Sequence, residues 1–181
     1  MTDFSGEQYK RVMAACKERD KFPTQAWIPD EERESKDQYF LKIAKIVATR
    51  ATCPRRSVGC VIINNYGHIK ATGYNGVPSG YPHCTNHPCG GHTSSTGNNL
   101  ESCMATHAEA NALLQCDDVM DIDRIYLTVS PCIDCAKLIG NTSCKMVIYA
   151  EEYINKDGIN MLDILDIITK YERVNNRKES K

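Results

Sequence analysis

The sequence predicts an α/β fold: a three-layer α/β/α architecture around a mixed sheet of about five strands. Two patterns carry this. The β-branched run Val58–Ile63, the turn residues Asn64-Asn65-Tyr66-Gly67 and the returning run His68–Gly73 read as an antiparallel hairpin. Further on, Arg124–Val129, Cys132–Gly140 and Met146–Ala150 read as strand, helix and strand with short connections, which implies a parallel, right-handed crossover. Helical stripes before, between and after these segments supply the outer layers.

Taken in order, residues 1–36 form an N-terminal helical arm, 37–174 the main domain and 175–181 a charged tail. In the arm, Tyr9, Val12, Met13 and Cys16 recur at helical spacing, so a short amphipathic helix is expected over residues 5–20. Pro23 and Pro29 interrupt it, and Trp27 between them is either a packed side chain or the anchor of a subunit contact. Asp37 is expected to cap a helix reaching Thr49, with Phe40, Leu41, Ala44, Val47 and Ala48 on its apolar face; Pro54 stops any continuation. After the hairpin, residues 77–102 are polar and rich in Gly, Cys and His, a long loop that must be functional or pinned. A helix over Thr106–Gln115 precedes the crossover unit, and an amphipathic helix over Asn160–Thr169 follows it.

With 181 residues, the chain suits one sizeable core. No apolar run approaches a membrane span, and no basic-then-apolar signal segment is read. The ten cysteines are therefore expected to be reduced or metal-bound, and the expected compartment is the cytosol. A net charge of −1 and a pI near 6.5 favour a free nucleotide over DNA or RNA, for which a pI above roughly 9 is usual, and the short apolar runs argue against a membrane partner.

The chemistry concentrates in His107-Ala108-Glu109 and Pro131-Cys132-Ile133-Asp134-Cys135. A neutral imidazole and two thiolates suit Zn²⁺, and three protein ligands leave a fourth position open for water, as in catalytic sites. Glu109 is near enough to exchange a proton with that water without being needed as a ligand. Alone, Cys-x-x-Cys reads equally as a redox pair or half a zinc ribbon. The combination of His-x-Glu with Pro-Cys-x-x-Cys is an established signature of zinc-dependent nucleobase deaminases. The cysteines fall at the start of a helix, whose dipole favours the thiolate form.

Residues 37–153 resemble the deoxycytidylate (dCMP) deaminases of phages and bacteria, within the zinc-dependent cytidine deaminase superfamily. The resemblance rests on Thr52-Cys53-Pro54-Arg55-Arg56-Ser57-Val58-Gly59, on Gly73-Tyr74-Asn75-Gly76-Val77-Pro78-Ser79-Gly80, on His107 to Ala112 and on Ser130 to Lys137. It implies a cytidine-deaminase-like fold and conversion of dCMP and water to dUMP and ammonia, feeding dTMP synthesis. It implies His107, Cys132 and Cys135 as ligands of the catalytic zinc and Glu109 as the proton carrier. Asn75, Ala108, Ser130 and Tyr153 would contact substrate; Asn75 alternatively serves only its turn, and Tyr153 only packing. The resemblance further implies a hexamer, activated by dCTP and inhibited by dTTP, with Mg²⁺ accompanying the triphosphate. Arg50, Gly73, Tyr74, Asn75, Gly76 and Val77 would bind that effector, and Arg55 and Arg56 could meet phosphates or form a solvated face. A phage origin would make the compartment the host cytosol.

Two features depart from a simple match. Cys53, Cys84, Cys89 and Cys103 remain beside the polar loop, and some relatives carry a structural zinc there; His87 or His92 could substitute, and free thiols on a loop are the alternative. Some phage relatives also carry an aromatic residue and an arginine near the substrate phosphate where this chain has Gln115 and Asp118. That leaves open which group reads the phosphate, and with it a relaxed dCMP/dCTP preference or another cytosine nucleotide as substrate. The rival readings are a deaminase of cytidine, tRNA adenosine or a guanine-like base, a purely structural zinc module, and a polynucleotide editor.

Overall fold

The computed structural model describes Glu7, Lys10, Arg11, Ala14 and residues 33–92 and 102–175. The chain divides into two compact units, Met1–Glu34 and Ser35–Lys181. In the first unit, Glu7, Lys10, Arg11 and Ala14 are helical. The apolar positions expected on that helix, and Trp27, lie outside the described residues.

The second unit opens with α1 (Lys36–Ala48). Ser35, not Asp37, caps it: the Ser35 hydroxyl accepts the Gln38 amide at 3.2 Å. Asp37 sits in the first turn and is drawn elsewhere, accepting hydrogen bonds from the Tyr126 hydroxyl at 2.9 Å and the Lys170 ammonium at 2.8 Å. The expected apolar stripe is buried at Phe40, Leu41, Ala44 and Ala48.

Five strands follow: β1 (Gly59–Ile63), β2 (Ile69–Tyr74), β3 (Arg124–Leu127), β4 (Met146–Tyr149) and β5 (Ile168–Tyr171). Their order is β2-β1-β3-β4-β5. β1 pairs antiparallel with both β2 and β3, whereas β3–β4 and β4–β5 are parallel, so the sheet is mixed. The hairpin turn works through Asn64, whose side-chain oxygen accepts the Tyr66 and His68 amides at 3.1 and 3.0 Å. Gly67 takes the left-handed conformation there (φ 82°), which costs glycine little.

Three further helices, α2 (Ala108–Gln115), α3 (Ile133–Ile139) and α4 (Asp157–Ile164), complete the unit with a 3₁₀ turn at Val119–Asp121. Alternation along the strands splits the core in two. Cys60, Ile62, Ile125, Leu127 and Val147 pack with Ala108, Ala112, Ala136, Ile139 and Leu162 from α2, α3 and α4. Val61, Ile63, Tyr126 and Ile148 pack with Phe40, Leu41 and Ala44 of α1. This is the expected three-layer α/β/α sandwich.

A second expectation is corrected. The sequence predicts a final helix through Thr169, but α4 ends at Ile164 and the chain turns at Asp166 (φ 57°) into the edge strand β5. Aspartate tolerates this conformation better than most side chains. The apolar sequence Ile164, Leu165, Ile167, Ile168 continues across the turn and hides it from a periodicity reading.

Candidate active site

The site forms at one end of the sheet. β1 runs opposite to β3, so the start of β1 and the end of β2 meet the carboxyl ends of β3 and β4 there. In α/β sheets, ligands bind outside the carboxyl ends of parallel strands.

His107 and Cys132 each occupy the position just before a helix, and neither side chain caps its helix. Both are therefore free to point at a common centre. The His107 Nδ1 lies 3.4 Å from the Cys132 Sγ and 3.4 Å from the Cys135 Sγ. Tetrahedral zinc with Zn–N near 2.05 Å and Zn–S near 2.3 Å places such donors about 3.6 Å apart. The donor set therefore fits zinc in chemistry and in spacing. Among the described residues, these three form the only group of three or more candidate ligand atoms within mutual reach; no fourth side chain joins them, and Glu109 is outside the set.

The three groups shift one another's protonation. A hydrogen bond from the Cys135 thiol, and a second from His107, pull Cys132 down to about 4 despite its partial burial. Cys135 goes the other way, because the proton it shares with Cys132 and its own burial both hold it as the thiol. His107 is raised by its bond to the Cys132 sulfur. Glu109 is 5% exposed, and burial raises its pKa although its own backbone amide and His107 oppose the shift. A carboxyl so placed holds its proton more readily than an exposed one.

The pocket over this centre is lined by His107, Ala108, Glu109 and Cys132, by Asn75, Ser130 and Tyr153, by Cys53 and Cys103, and by Arg55, Arg56, Val58, Ala105 and Val129. Asn75 is buried and held at both ends: its Oδ1 accepts the Val58 amide at 2.7 Å and its Nδ2 donates to the Arg56 carbonyl at 2.8 Å. One acceptor lobe and one N–H remain for a ligand. The Ser130 hydroxyl accepts the Tyr153 amide at 2.8 Å and so ties the segment after β4 to the segment after β3. The Arg56 guanidinium lies 5.9 Å from the centre of the Tyr153 ring.

The remaining candidates lie outside this pocket. Arg50 is exposed. Gly73 is buried, and a Cβ there would strike the backbone of α2 at Ala108 and Ala112, so helix packing explains the glycine. The Tyr74 carbonyl accepts Asn111 of α2 at 2.8 Å, Gly76 pairs with Thr106 in a bridge, and the Val77 amide donates to Thr52 at 3.1 Å. Gln115 and Asp118 are exposed on the far part of α2 and beyond it, away from the pocket. Burial raises Cys84, while the Met104 amide lowers Cys89, which also bonds to Cys84 and Cys103. These loop thiols do not converge as a three-ligand set among the described residues. Val58, Ala105 and Val129 were not singled out from the sequence; they are ordinary small apolar residues with no chemical signal.

Residues 34–151 match the family model described as the cytidine and deoxycytidylate deaminase zinc-binding region. The deoxycytidylate deaminase of Saccharomyces cerevisiae is 38% identical over 67% of this chain and 39% of its own length. That of Mycobacterium phage D29 is 37% identical over 64% of this chain and 94% of its own. The chain thus spans about two fifths of the length of the yeast relatives it matches. The dCMP deaminase of cyanophage S-TIM5, solved in complex with dCMP and dUMP, superposes with a TM-score of 0.59 at 32% identity, covering 75% of this chain and 95% of that one.

Proposed function

We propose that this chain, which belongs to the cytidine and deoxycytidylate deaminase zinc-binding family, hydrolyses dCMP to dUMP and ammonia and so supplies dUMP for dTMP synthesis. One observation carries the reading: a buried carboxyl, Glu109, stands beside the zinc-spaced set His107, Cys132 and Cys135 without belonging to it. A structural metal site has no use for that carboxyl. The names of the yeast and phage relatives and the dCMP and dUMP of the cyanophage structure support the choice of substrate.

When held by His107 Nδ1 and the two thiolates, zinc supplies Lewis acidity that brings the pKa of a water molecule towards neutrality. Glu109 accepts the first proton of the attacking water and hands it to N3 of the cytosine ring. It then passes the second to the amino group on C4, which leaves as ammonia. Asn75 offers its free N–H and acceptor lobe to the deoxyribose hydroxyl. Ala108, the first residue of α2, offers an amide without an intrahelical acceptor. Ser130 holds Tyr153 against the pocket wall.

The same reading extends to regulation and assembly. dCTP activates and dTTP inhibits, with Mg²⁺ on the triphosphate, at the segment Gly73–Val77 and Arg50. Its support is the resemblance and the hydrogen bond from Asn111 of α2 to Tyr74, which links that segment to the helix bearing Glu109. The chain assembles as a hexamer in the cytosol, for which exposed Ile164, Ile168 and Tyr171 beside the edge strand give support. A second zinc orders the loop of Cys53, Cys84, Cys89 and Cys103. The contacts of Cys89 with Cys84 and Cys103 support it, as does the buried His92 Nδ1, which lacks a hydrogen-bond partner. Metal analysis tests this directly: a second zinc per chain sustains it, and loss of none on replacing Cys89 by serine removes it. Turnover of dCTP is the second reading of the substrate, favoured by two arginines, Arg55 and Arg56, on one pocket.

An ammonia-release assay with dCMP, dCTP, cytidine and single-stranded DNA, each with and without dTTP, tests the set. dCMP turnover that falls with dTTP at subsaturating substrate is the expected result. Indifference to both dTTP and dCTP removes the regulation and leaves the enzyme, and turnover of cytidine or DNA alone removes the substrate assignment.

A further inference from the structure

We infer that Arg56 is the group that reads the 5′-phosphate of the substrate and sets the preference for a nucleotide over a nucleoside, an inference that rests on the deaminase reading of the same pocket. The pocket holds the ligand set and Glu109 at one part and Arg56 at another. Arg56 Nη1 is buried and has no hydrogen-bond partner; among the described residues only His92 Nδ1 shares that condition. A guanidinium N–H shut away from water needs an acceptor, and the guanidinium fork matches an anionic phosphate in charge and shape. The neighbouring Arg55 is already committed through Nη1 to the Gly91 carbonyl at 2.7 Å.

The rest of the Arg56 environment holds the side chain in place. Its ring neighbour Tyr153 and the Glu151 carboxylate, 3.8 Å from Nη2, flank the guanidinium. Its backbone is clamped by Asn75, which bonds to the Arg56 carbonyl and to the Val58 amide two residues on. The asparagine that faces the sugar therefore also fixes the origin of the arginine. Gln115 and Asp118 are exposed and outside the pocket.

The test compares wild type, Arg56→Gln and Arg56→Lys in two measurements: kcat and KM on dCMP and on deoxycytidine, and calorimetric binding of dUMP and deoxyuridine. A charge-assisted bond of this kind is worth on the order of 10- to 100-fold. Arg56→Gln is expected to raise KM for dCMP and to weaken dUMP by that factor, while deoxycytidine turnover and deoxyuridine binding fall by much less. Arg56→Lys restores part of the loss. An equal fall for nucleotide and nucleoside, or no change for dCMP and dUMP, overturns the inference and leaves the deaminase reading intact. Should wild type convert no dCMP, the deaminase reading fails; Arg56-dependent binding of dUMP then still supports phosphate recognition, and binding indifferent to Arg56 overturns that as well.

Discussion

At the scale of the residue, the same chemistry is used in opposite ways at Asp37 and Glu109. Burial opposes charge on Asp37, but hydrogen bonds from Lys170 and Tyr126 outweigh it and hold the carboxyl below its ordinary value. Its stabilising contribution is therefore complete above the ordinary aspartate pKa of about 3.9 and is lost as pH falls through the lower, folded value. Asp37→Asn should cost about 1–3 kcal/mol near neutral pH, read by urea denaturation, and should flatten the loss of stability below about pH 4. An unchanged acid profile in the variant would assign that loss to other carboxyls. At Glu109 burial outweighs the opposing pull of His107 and of its own backbone amide and leaves the pKa raised, the direction expected of the proposed proton carrier. Asn75 is a polar residue that the fold uses while one N–H and one acceptor lobe are left for a ligand. Asn75→Ala leaves the Val58 amide and Arg56 carbonyl without their partners, so it should raise KM for dCMP more than tenfold and also lower the melting temperature. A rise in KM without any loss of stability would show that the clamp contributes nothing to the fold.

The elements explain why some of this was legible and some was not. Hairpin, crossover and flanking helices follow from period-two and helical patterns with turn residues between them, and each is present within a few residues of its expected ends. The first helix start was misplaced by two residues because Ser35 and Asp37 are both good caps, and only the tertiary partners Lys170 and Tyr126 decide between them. β5 was folded into the preceding helix because nothing in its apolar run marks the turn except Asp166. Gly73 is the opposite case. Read from sequence, it is a glycine that lets a ligand approach; in the structure, α2 fills that space. Gly73→Ala should push α2, and with it His107 and Glu109, off the sheet. It is expected to destabilise the domain by roughly 1–3 kcal/mol and to depress kcat together with stability. A stable, fully active Gly73→Ala protein would contradict the packing account.

For the whole molecule, the chemistry comes from bringing two helix starts to one end of a mixed sheet. His107 and Cys132 are 25 residues apart in sequence, yet their ligand atoms are 3.4 Å apart because α2 and α3 lie on the same face. The motif spacing pointed to this grouping before any fold was known, since few other uses exist for that set of side chains. The pocket walls were not legible in the same way: Val58, Ala105 and Val129 carry no signal, and the buried, unpartnered Nη1 of Arg56 is a property of the folded chain alone. Zinc held at the junction of α2 and α3 should also tie these two helices together, so chelation is expected to lower the melting temperature and abolish turnover, with recovery of both on adding zinc back. Loss of activity without any thermal shift would place the metal outside the folding equilibrium.

The most direct measurement is dUMP and ammonia formation from dCMP by the zinc-loaded protein, set against Glu109→Gln with the same zinc content. Wild type should release the two products in equal amounts. The variant should keep its metal and lose roughly 10²–10⁴-fold in kcat. A Glu109→Gln protein that retains near-full turnover, or a zinc-loaded wild type that releases no ammonia from dCMP, would contradict the central claim.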